Sequence, residues 1–123
     1  MDPRGHRDDW YVYRYFEGTF ETDLARFPSW GMISDWVVSS GYEQVAWQLA
    51  EHISDPKVGS AVFYDPFLDK NAASQLALLT DEEYTIGLRK IREALSKAGK
   101  RAETLLFPVE IYLHMLTARL PSV

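Results

Sequence analysis

The chain has 123 residues, a formal net charge of −5, no cysteine and 14% aromatic residues. Its length is that of one domain, its acidic balance argues against nucleic acid or an anionic membrane as a partner, and without cysteine it has no disulfide framework and no thiolate metal site. No apolar run approaches the ~18 residues of a membrane-spanning helix, and the N-terminus lacks the apolar core of a signal peptide, so we expect a soluble, cytoplasmic protein.

The N-terminal third predicts a polar lead-in followed by an aromatic-rich helical segment. Residues 1–9 form the lead-in, and we expect residues 10–123 to form a single domain. Seven aromatic side chains lie from position 10 to position 27 without a clean period, and Gly18 is expected to interrupt them before a short helix in "TFETDLARF". Ser29 and Gly41 have the positions of the N-cap and the C′ residue of the next helix. The aromatic run either lines a pocket for a planar or apolar ligand or forms the core beneath the helices.

Two segments predict an antiparallel pair of strands. In "EQVAWQLAEHI" the side chains of Val45, Trp47 and Leu49 lie on one apolar face. The closing run is apolar on both faces, and Pro108 cannot donate a ladder hydrogen bond, so we expect pairing to begin after it. The prediction is an α+β fold in which an antiparallel β-hairpin or small sheet, about 43–53 and 106–119, is combined with N-terminal helices and a central helical insertion.

The segment between these strands carries side chains that admit two interpretations: Asp65, Asp69, Asn71, Asp81, Glu82 and Glu83. As metal ligands they lack the alternating oxygens and the glycine of a calcium loop. As helix caps they fit well, because the T-x-x-E pattern from Thr80 to Glu83 predicts a capping box at the start of a helix that ends at Gly99. Asp69 or Asn71 predicts an earlier helix start. We therefore interpret these residues as caps and predict no metal site.

The three histidines, His6, His52 and His114, have no neighbour at the spacing of zinc ligands. We expect His114 to be buried in a core or an interface. A catalytic pairing of His114 with Glu110 is disfavoured, because the two positions lie on one face of a strand but roughly 13 Å apart along it.

The order of these segments resembles the C-terminal part of a class I S-adenosylmethionine-dependent methyltransferase. The resemblance rests on "WYVYRYFEGTFETDLARFPS", on "SSGY" followed by "EQVAWQLAEHI", on "DPFLDKNAASQLALLTDEEYTIGLRKIREAL" and on "LLFPVEIYLHMLTARLP", and it covers Asp9 to Pro121. It implies a partial Rossmann-like fold. Residues 43–53 match the sixth strand of that fold, and the closing run matches the seventh strand, which is antiparallel to its neighbours.

The same resemblance has implications for cofactor binding and for substrate contacts. The family's glycine-rich loop and acidic cofactor contacts have no counterpart in this chain, so it implies no cofactor-binding residue here, no cofactor bound by this chain alone and no activity of the chain in isolation. S-adenosylmethionine is the cofactor expected for the complete family enzyme. The aromatic segment matches the region that covers the acceptor substrate, which makes five residues candidate substrate contacts: Trp10, Tyr13, Arg14, Tyr15 and Phe16. No catalytic residue is assigned.

In the complete family fold the seventh strand lies between the fifth and the sixth, so here one edge of residues 109–118 is expected to lack its partner. We expect this edge to pair with a second copy of the chain, giving a homodimer, or with a separate cofactor-binding chain. Two functions stay open. One is the substrate-recognition part of a methyltransferase with a small-molecule acceptor. The other is a non-catalytic small-molecule-binding or protein-interaction module that oligomerises through its last strand.

Overall fold

Residues 2–122 are described by a computed structural model, in which helices and two small antiparallel sheets form an α+β fold. The helices are α1 (Tyr11–Tyr15), α2 (Thr19–Arg26), α3 (Trp30–Ser39), α4 (Ser74–Ala77) and α5 (Asp81–Ala98), and the strands are β1 (Glu43–Ser54), β2 (Lys57–Val58), β3 (Leu106–Phe107) and β4 (Glu110–Arg119). Short 3-10 helices span Arg7–Asp9, Gly59–Tyr64, Pro66–Leu68 and Gly99–Thr104. No helix within residues 2–122 is both long enough and apolar enough to cross a membrane.

The predicted boundaries of the three long helices are confirmed. The Ser29 hydroxyl accepts the N–H of Met32 at the start of α3. At the start of α5, the Thr80 hydroxyl accepts the Glu83 N–H at 3.1 Å while the Glu83 carboxylate accepts the Thr80 N–H at 2.9 Å. Gly18 has a φ of 85° immediately before α2, so a residue without Cβ stands where the chain turns between two helices.

The predicted helix start at Asp69 or Asn71 is wrong. The Asp69 carboxylate accepts the N–H of Asn71 at 2.9 Å, which closes a local turn. Such a turn offers the backbone donor an alternative to the helical ladder. The helix α4 begins only at Ser74 and has four residues.

The predicted antiparallel pairing of the two long segments is confirmed, with Trp47 opposite Leu116 and Ile53 opposite Ile111 in the β1–β4 ladder. The expected range 106–119 is corrected, because its first residues belong to a second ladder in which β3 pairs with β2. Pro108 separates the two ladders, as its missing N–H predicts.

An extra residue in β1 decides which side chains share a face of the β1–β4 ladder. Trp47 and Leu49 lie opposite Leu116 and His114 on the predicted apolar face. The register then shifts between Leu49 and Glu51, so that β1 carries one residue more than β4 at this point. As a result His52 comes to lie opposite Tyr112 and continues the same face.

The apolar core lies beneath α1 and α5 rather than on the β1–β4 ladder. Tyr11 and Val12 of α1, and Phe16 immediately after it, are buried together with Ile91 of α5. The rest of the core comes from the central segment and from the start of the closing segment: Val62, Leu68, Leu76, Phe107 and Val109. The face of α5 predicted from its period, with Tyr84, Leu88, Ile91 and Leu95, packs on this core.

The polar lead-in packs onto the helices. Asp2 and Pro3 are buried, and the Asp2 carboxylate accepts the N–H of Trp30 at 3.3 Å. The Arg4 guanidinium donates to the Asp2 carboxylate at 2.9 Å and to the Phe27 carbonyl at 3.0 Å. These bonds fix residues 2–4 beside α2 and α3.

The start of the closing segment is paired on both of its edges. The Val109 carbonyl accepts the N–H of Asp55, and the Pro108 carbonyl accepts the N–H of Tyr11, each at 2.9 Å. Because successive carbonyls of an extended chain point to opposite edges, the bridge between Trp10 and Val109 lies on the edge away from β1. We call this second edge, along Glu110–Arg119, the outer edge of β4. Within the described residues no strand pairs with it.

Candidate functional site

A cavity of about 240 Å³ lies between the lead-in, α1 and the first residues of β4. It exists because the bridge between Trp10 and Val109 holds α1 beside the closing strand. We call it the aromatic cavity. Its lining residues are Asp2, Pro3, His6, Asp9, Trp10, Tyr13, Phe67, Ala72, Ala73, Gln75, Val109, Glu110, Ile111 and Tyr112.

Of the five candidate substrate contacts, Trp10 and Tyr13 line this cavity. Trp10 is the extended residue immediately before α1 and Tyr13 lies within α1, and their rings meet edge to face at 5.2 Å. Arg14 is exposed to solvent, and Tyr15 is half-buried against the core. Phe16 is 1% exposed and belongs to the core itself. The structure therefore brings two of the five to the cavity.

A buried hydrogen-bond network fixes the Tyr13 side of the cavity wall. The Tyr13 hydroxyl donates to Asp23 Oδ2 at 2.6 Å, and the Gln75 amide donates to the same oxygen at 3.0 Å. Arg26 donates to the other carboxylate oxygen at 2.8 Å. Burial, and then the hydrogen bond to Asp23, raises the pKa of the Tyr13 phenol far above its ordinary value. Tyr13 is thus a neutral, immobilised wall of the cavity and no proton donor at neutral pH.

A second pair of the same kind supports α1 from beneath. The Tyr11 hydroxyl donates to Asp65 Oδ2 at 2.5 Å, and both side chains are buried. Burial, followed by this hydrogen bond, raises the pKa of the Tyr11 phenol. The other oxygen of Asp65 accepts the N–H of Phe67, whose side chain lines the cavity. The pair therefore anchors two parts of the cavity wall to the core.

Glu110 forms one side of the cavity rim, at the base of the β1–β4 ladder. One of its carboxylate oxygens accepts the Ser54 hydroxyl at 2.7 Å, and the other lies 2.7 Å from His52 Nε2. The hydrogen bond from Ser54, and then the one from His52, lowers the pKa of Glu110. His52 also stacks on Tyr112, with ring centroids 4.3 Å apart and an interplanar angle of 12°. Because Ser54 donates to the carboxylate and not to the imidazole, these residues form no activated nucleophile.

His6 completes the other side of the rim. Its Nδ1 lies 2.6 Å from Asp9 Oδ2 and its ring centroid 5.2 Å from that of Tyr112. The rim thus holds two imidazole–carboxylate pairs, His6 with Asp9 and His52 with Glu110, and both imidazoles lie against the Tyr112 ring. These two pairs were not predicted from the sequence. The i, i+3 spacing of His6 and Asp9 was a signal for the first pair, whereas the second depends on the extra residue in β1.

His114 has no part in this rim. Its partner in the disfavoured catalytic pairing, Glu110, is bound to His52 instead. His114 is half-buried with its ring centroid 5.0 Å from that of Trp30, and its Nδ1 is buried without a hydrogen-bond partner.

The acidic side chains of the central segment are dispersed over separate turns. Asp65 binds Tyr11, Asp69 closes its own turn, and Glu83 belongs to the capping box, while Asp81 lies 3.8 Å from the Lys70 ammonium. Across residues 2–122, no group of three or more histidine, aspartate or glutamate side chains is arranged to hold a metal ion.

Comparison with protein-family models, with curated proteins and with solved structures gives no match to this chain. The aromatic cavity and the outer edge of β4 are the two features of the described residues that bear on function.

Proposed function

We propose that this chain is the substrate-recognition part of an S-adenosylmethionine-dependent methyltransferase, and that the aromatic cavity receives a small-molecule acceptor. In this proposal a separate cofactor-binding chain docks on the outer edge of β4, and this chain alone binds no cofactor and transfers no methyl group. The protein acts in the cytoplasm. The observation that carries the proposal is the open outer edge of β4.

An open edge of this kind is unfavourable in an isolated chain. The Val109 carbonyl faces β1, so by alternation the N–H and C=O groups of residues 110, 112, 114, 116 and 118 face outward. The ladder is also poorly covered, since Leu113 and Met115 of β4 are 38% and 42% exposed and Leu49 of β1 is 51% exposed. Unpaired backbone groups beside apolar side chains form a template for another strand. A strand added beyond β4 would pair these backbone groups and place its own side chains beside the exposed apolar ones.

The connectivity supports the methyltransferase in particular. β1 and β4 are antiparallel neighbours although the whole central helical segment separates them in sequence. This is the relation that the resemblance expects of the sixth and seventh strands. The bridge between Trp10 and Val109 lies on the outer edge, where the end of a fifth strand would lie. The lining of the cavity by Trp10 and Tyr13 agrees with the acceptor-covering role expected for that segment.

A second function is favoured by the same edge. Two copies of this chain can pair through their outer edges, because two β4 strands related by a two-fold axis form a continuous four-stranded sheet. The chain would then be a non-catalytic small-molecule-binding or protein-interaction module that works as a homodimer. In the first function the outer edge of β4 binds a different chain, and in the second it binds another copy of this chain.

Calorimetric titration with S-adenosylmethionine tests the first function. We expect no heat of binding, because the described lining of the cavity contains no glycine and the resemblance places the family's cofactor contacts outside this chain. Micromolar affinity of the isolated chain for S-adenosylmethionine would refute the assignment as a substrate-recognition part.

Amide hydrogen exchange tests the outer edge directly. In the monomer, the amides of Tyr112, His114 and Leu116 face outward and are expected to exchange fast, whereas those of Ile111 and Leu113 bond to β1 and exchange slowly. Pairing at this edge protects the first group and leaves the second unchanged. Fast exchange of both groups, or protection of the outward group in a demonstrated monomer, would contradict the geometry.

A matched pair of variants separates the two functions. Met115→Lys places a charge beside the outer edge, and Leu78→Lys makes the same change at an exposed leucine away from the sheet. If the chain is a self-associating module, light scattering at micromolar concentration shows a dimer that Met115→Lys dissociates and Leu78→Lys preserves. A stable monomer of the unaltered chain would refute the homodimer and leave the edge to a different chain.

A further inference from the structure

The walls of the aromatic cavity are made of ring faces and edges. Trp10, Tyr13, Phe67 and Tyr112 contribute aromatic rings, and Val109 and Ile111 contribute aliphatic side chains. The volume of about 240 Å³ is below the ~300 Å³ at which drug-sized pockets begin. The cavity therefore suits a molecule of one or two rings.

Carboxylates predominate among the charged side chains of the cavity lining. Asp2, Asp9 and Glu110 are lining residues together with one histidine, and no lysine or arginine of the described chain is among them. The Asp2 charge is matched by Arg4, which lies outside the cavity. Asp9 and Glu110 are balanced only by imidazoles, His6 and His52. The described lining therefore holds three carboxylates and a single basic side chain, His6, beside an aromatic interior.

Aromatic walls and a carboxylate rim together select one class of ligand. A carboxylate or phosphate ligand would meet three carboxylates and no lysine or arginine among the described lining residues. A neutral ring gains the burial of its apolar surface but nothing from the rim. An organic cation gains that burial, a cation–π interaction with the rings and attraction to Glu110 and Asp9. An inorganic metal ion would lose its water to ring faces that cannot coordinate it.

We propose that the aromatic cavity binds a small organic cation, a primary or methylated amine carried on a one-ring or two-ring apolar body. The inference names the substrate class of the proposed acceptor site, so it rests on the proposed function for the role of the ligand as acceptor. Binding of the cation to the cavity depends only on residues of this chain and does not require the proposed function.

Three probes with one ring and different charge test the ligand class. At neutral pH 2-phenylethylamine is a cation, 2-phenylethanol is neutral and phenylacetate is an anion. We expect titration calorimetry at low salt to give an affinity for the amine at least about tenfold above that for the alcohol, and no binding of phenylacetate. Equal affinities for the amine and the alcohol, tighter binding of phenylacetate, or no binding of the amine would each overturn the proposal.

Two matched variants locate the binding. Glu110→Gln removes the rim charge and is expected to lower the affinity for 2-phenylethylamine about three- to tenfold while leaving that for 2-phenylethanol unchanged. Glu51→Gln removes a charge from the other face of the ladder, opposite Leu113, and should change neither affinity. If Glu110→Gln is unfolded by circular dichroism, Asp9→Asn replaces it with the same expected loss. A rim variant that leaves amine affinity unaltered would overturn the proposal.

The outcome is separable from that of the proposed function. If the amine does not bind while the edge experiments succeed, the ligand class is refuted and the methyltransferase part stands. If the amine binds and S-adenosylmethionine also binds the isolated chain, the ligand class stands and the assignment as a substrate-recognition part is refuted.

Discussion

The contact between Gly87 of α5 and the ring of Phe16 gives a sharp test of how α1 is held. A Cβ built on Gly87 would lie 2.1 Å and 2.2 Å from two carbons of the Phe16 ring, whereas ordinary contacts of a Cβ begin at 3.4 Å. Phe16 is 1% exposed and stacks on Tyr84 at a centroid distance of 5.7 Å. The ring has no free space into which to withdraw, so Gly87→Ala forces α1 and α5 apart.

Two opposing contributions set the size of the effect. Alanine favours a helix interior over glycine by about 1 kcal/mol, which stabilises the variant. Overpacking of a filled core costs about 1–3 kcal/mol, and the required movement of more than an ångström places this site at the upper end. We therefore expect Gly87→Ala to lower the free energy of unfolding by about 2 kcal/mol, or the midpoint of thermal unfolding by about 8 °C for a domain of this size.

Gly31→Ala in α3 is the matched control. The nearest atom to a Cβ at Gly31 is the Ser29 hydroxyl oxygen at 3.9 Å. Because Gly31 is the second residue of α3 and not in its interior, the same substitution is expected to stabilise the protein by about 0.5 kcal/mol, less than the full helix-interior difference. Urea unfolding followed by circular dichroism measures both variants. Phe16→Leu should offset part of the loss when combined with Gly87→Ala. If Gly87→Ala is as stable as the parent chain, or if its effect adds to that of Phe16→Leu, the steric argument is refuted.

Three further predictions concern buried phenols and helix capping. Tyr13→Phe leaves the buried Asp23 carboxylate without one of its donors and is expected to cost about 1.5–3 kcal/mol in urea unfolding; an unchanged midpoint would contradict this. The pKa values of Tyr11 and Tyr13 are raised above their ordinary 10.0 in the folded protein. Below pH 10 the two phenols are therefore protonated in the folded and in the unfolded protein. Above it only the unfolded state loses these protons, so stability should fall by up to about 1.4 kcal/mol per pH unit for each phenol, and a flat profile in urea unfolding between pH 9.5 and 11 would refute the linkage. Thr80→Ala removes the hydroxyl of the capping box and should cost about 1 kcal/mol, whereas Thr85→Ala, exposed inside the same helix, should slightly stabilise it; equal effects in urea unfolding would rule out the cap as the cause.

Most of the helix boundaries were predictable because their signals are local. Ser29, Thr80 and Gly41 act on backbone groups within a few residues of themselves, so the sequence around each is sufficient. The error at Asp69 has the same physical basis, because an aspartate that closes its own turn and one that caps a helix both accept a nearby N–H. Composition alone does not distinguish these two cases.

The candidate site was predicted only in part. Trp10 and Tyr13 were expected at a ligand because an aromatic segment matched an acceptor-covering region, and both line the cavity. Phe16, in the same segment, lies in the core because the chain leaves α1 at this residue toward α5, where Gly87 leaves room for a ring. The rim pair of His52 with Glu110 was not predictable from alternation, since one extra residue in β1 moves His52 to the face of Tyr112.

Local signals in the sequence predicted the three long helices and the antiparallel pairing of the two long strands, because caps, alternation and the missing N–H of Pro108 act over a few residues. The tertiary structure decided what those elements enclose. It bridged Trp10 to Val109, gathered His6, Asp9, Glu110 and Tyr112 around one cavity, and left the outer edge of β4 open within the described residues. These outcomes depend on contacts between residues distant in sequence, and on a register that one residue shifts. No local pattern carries that information.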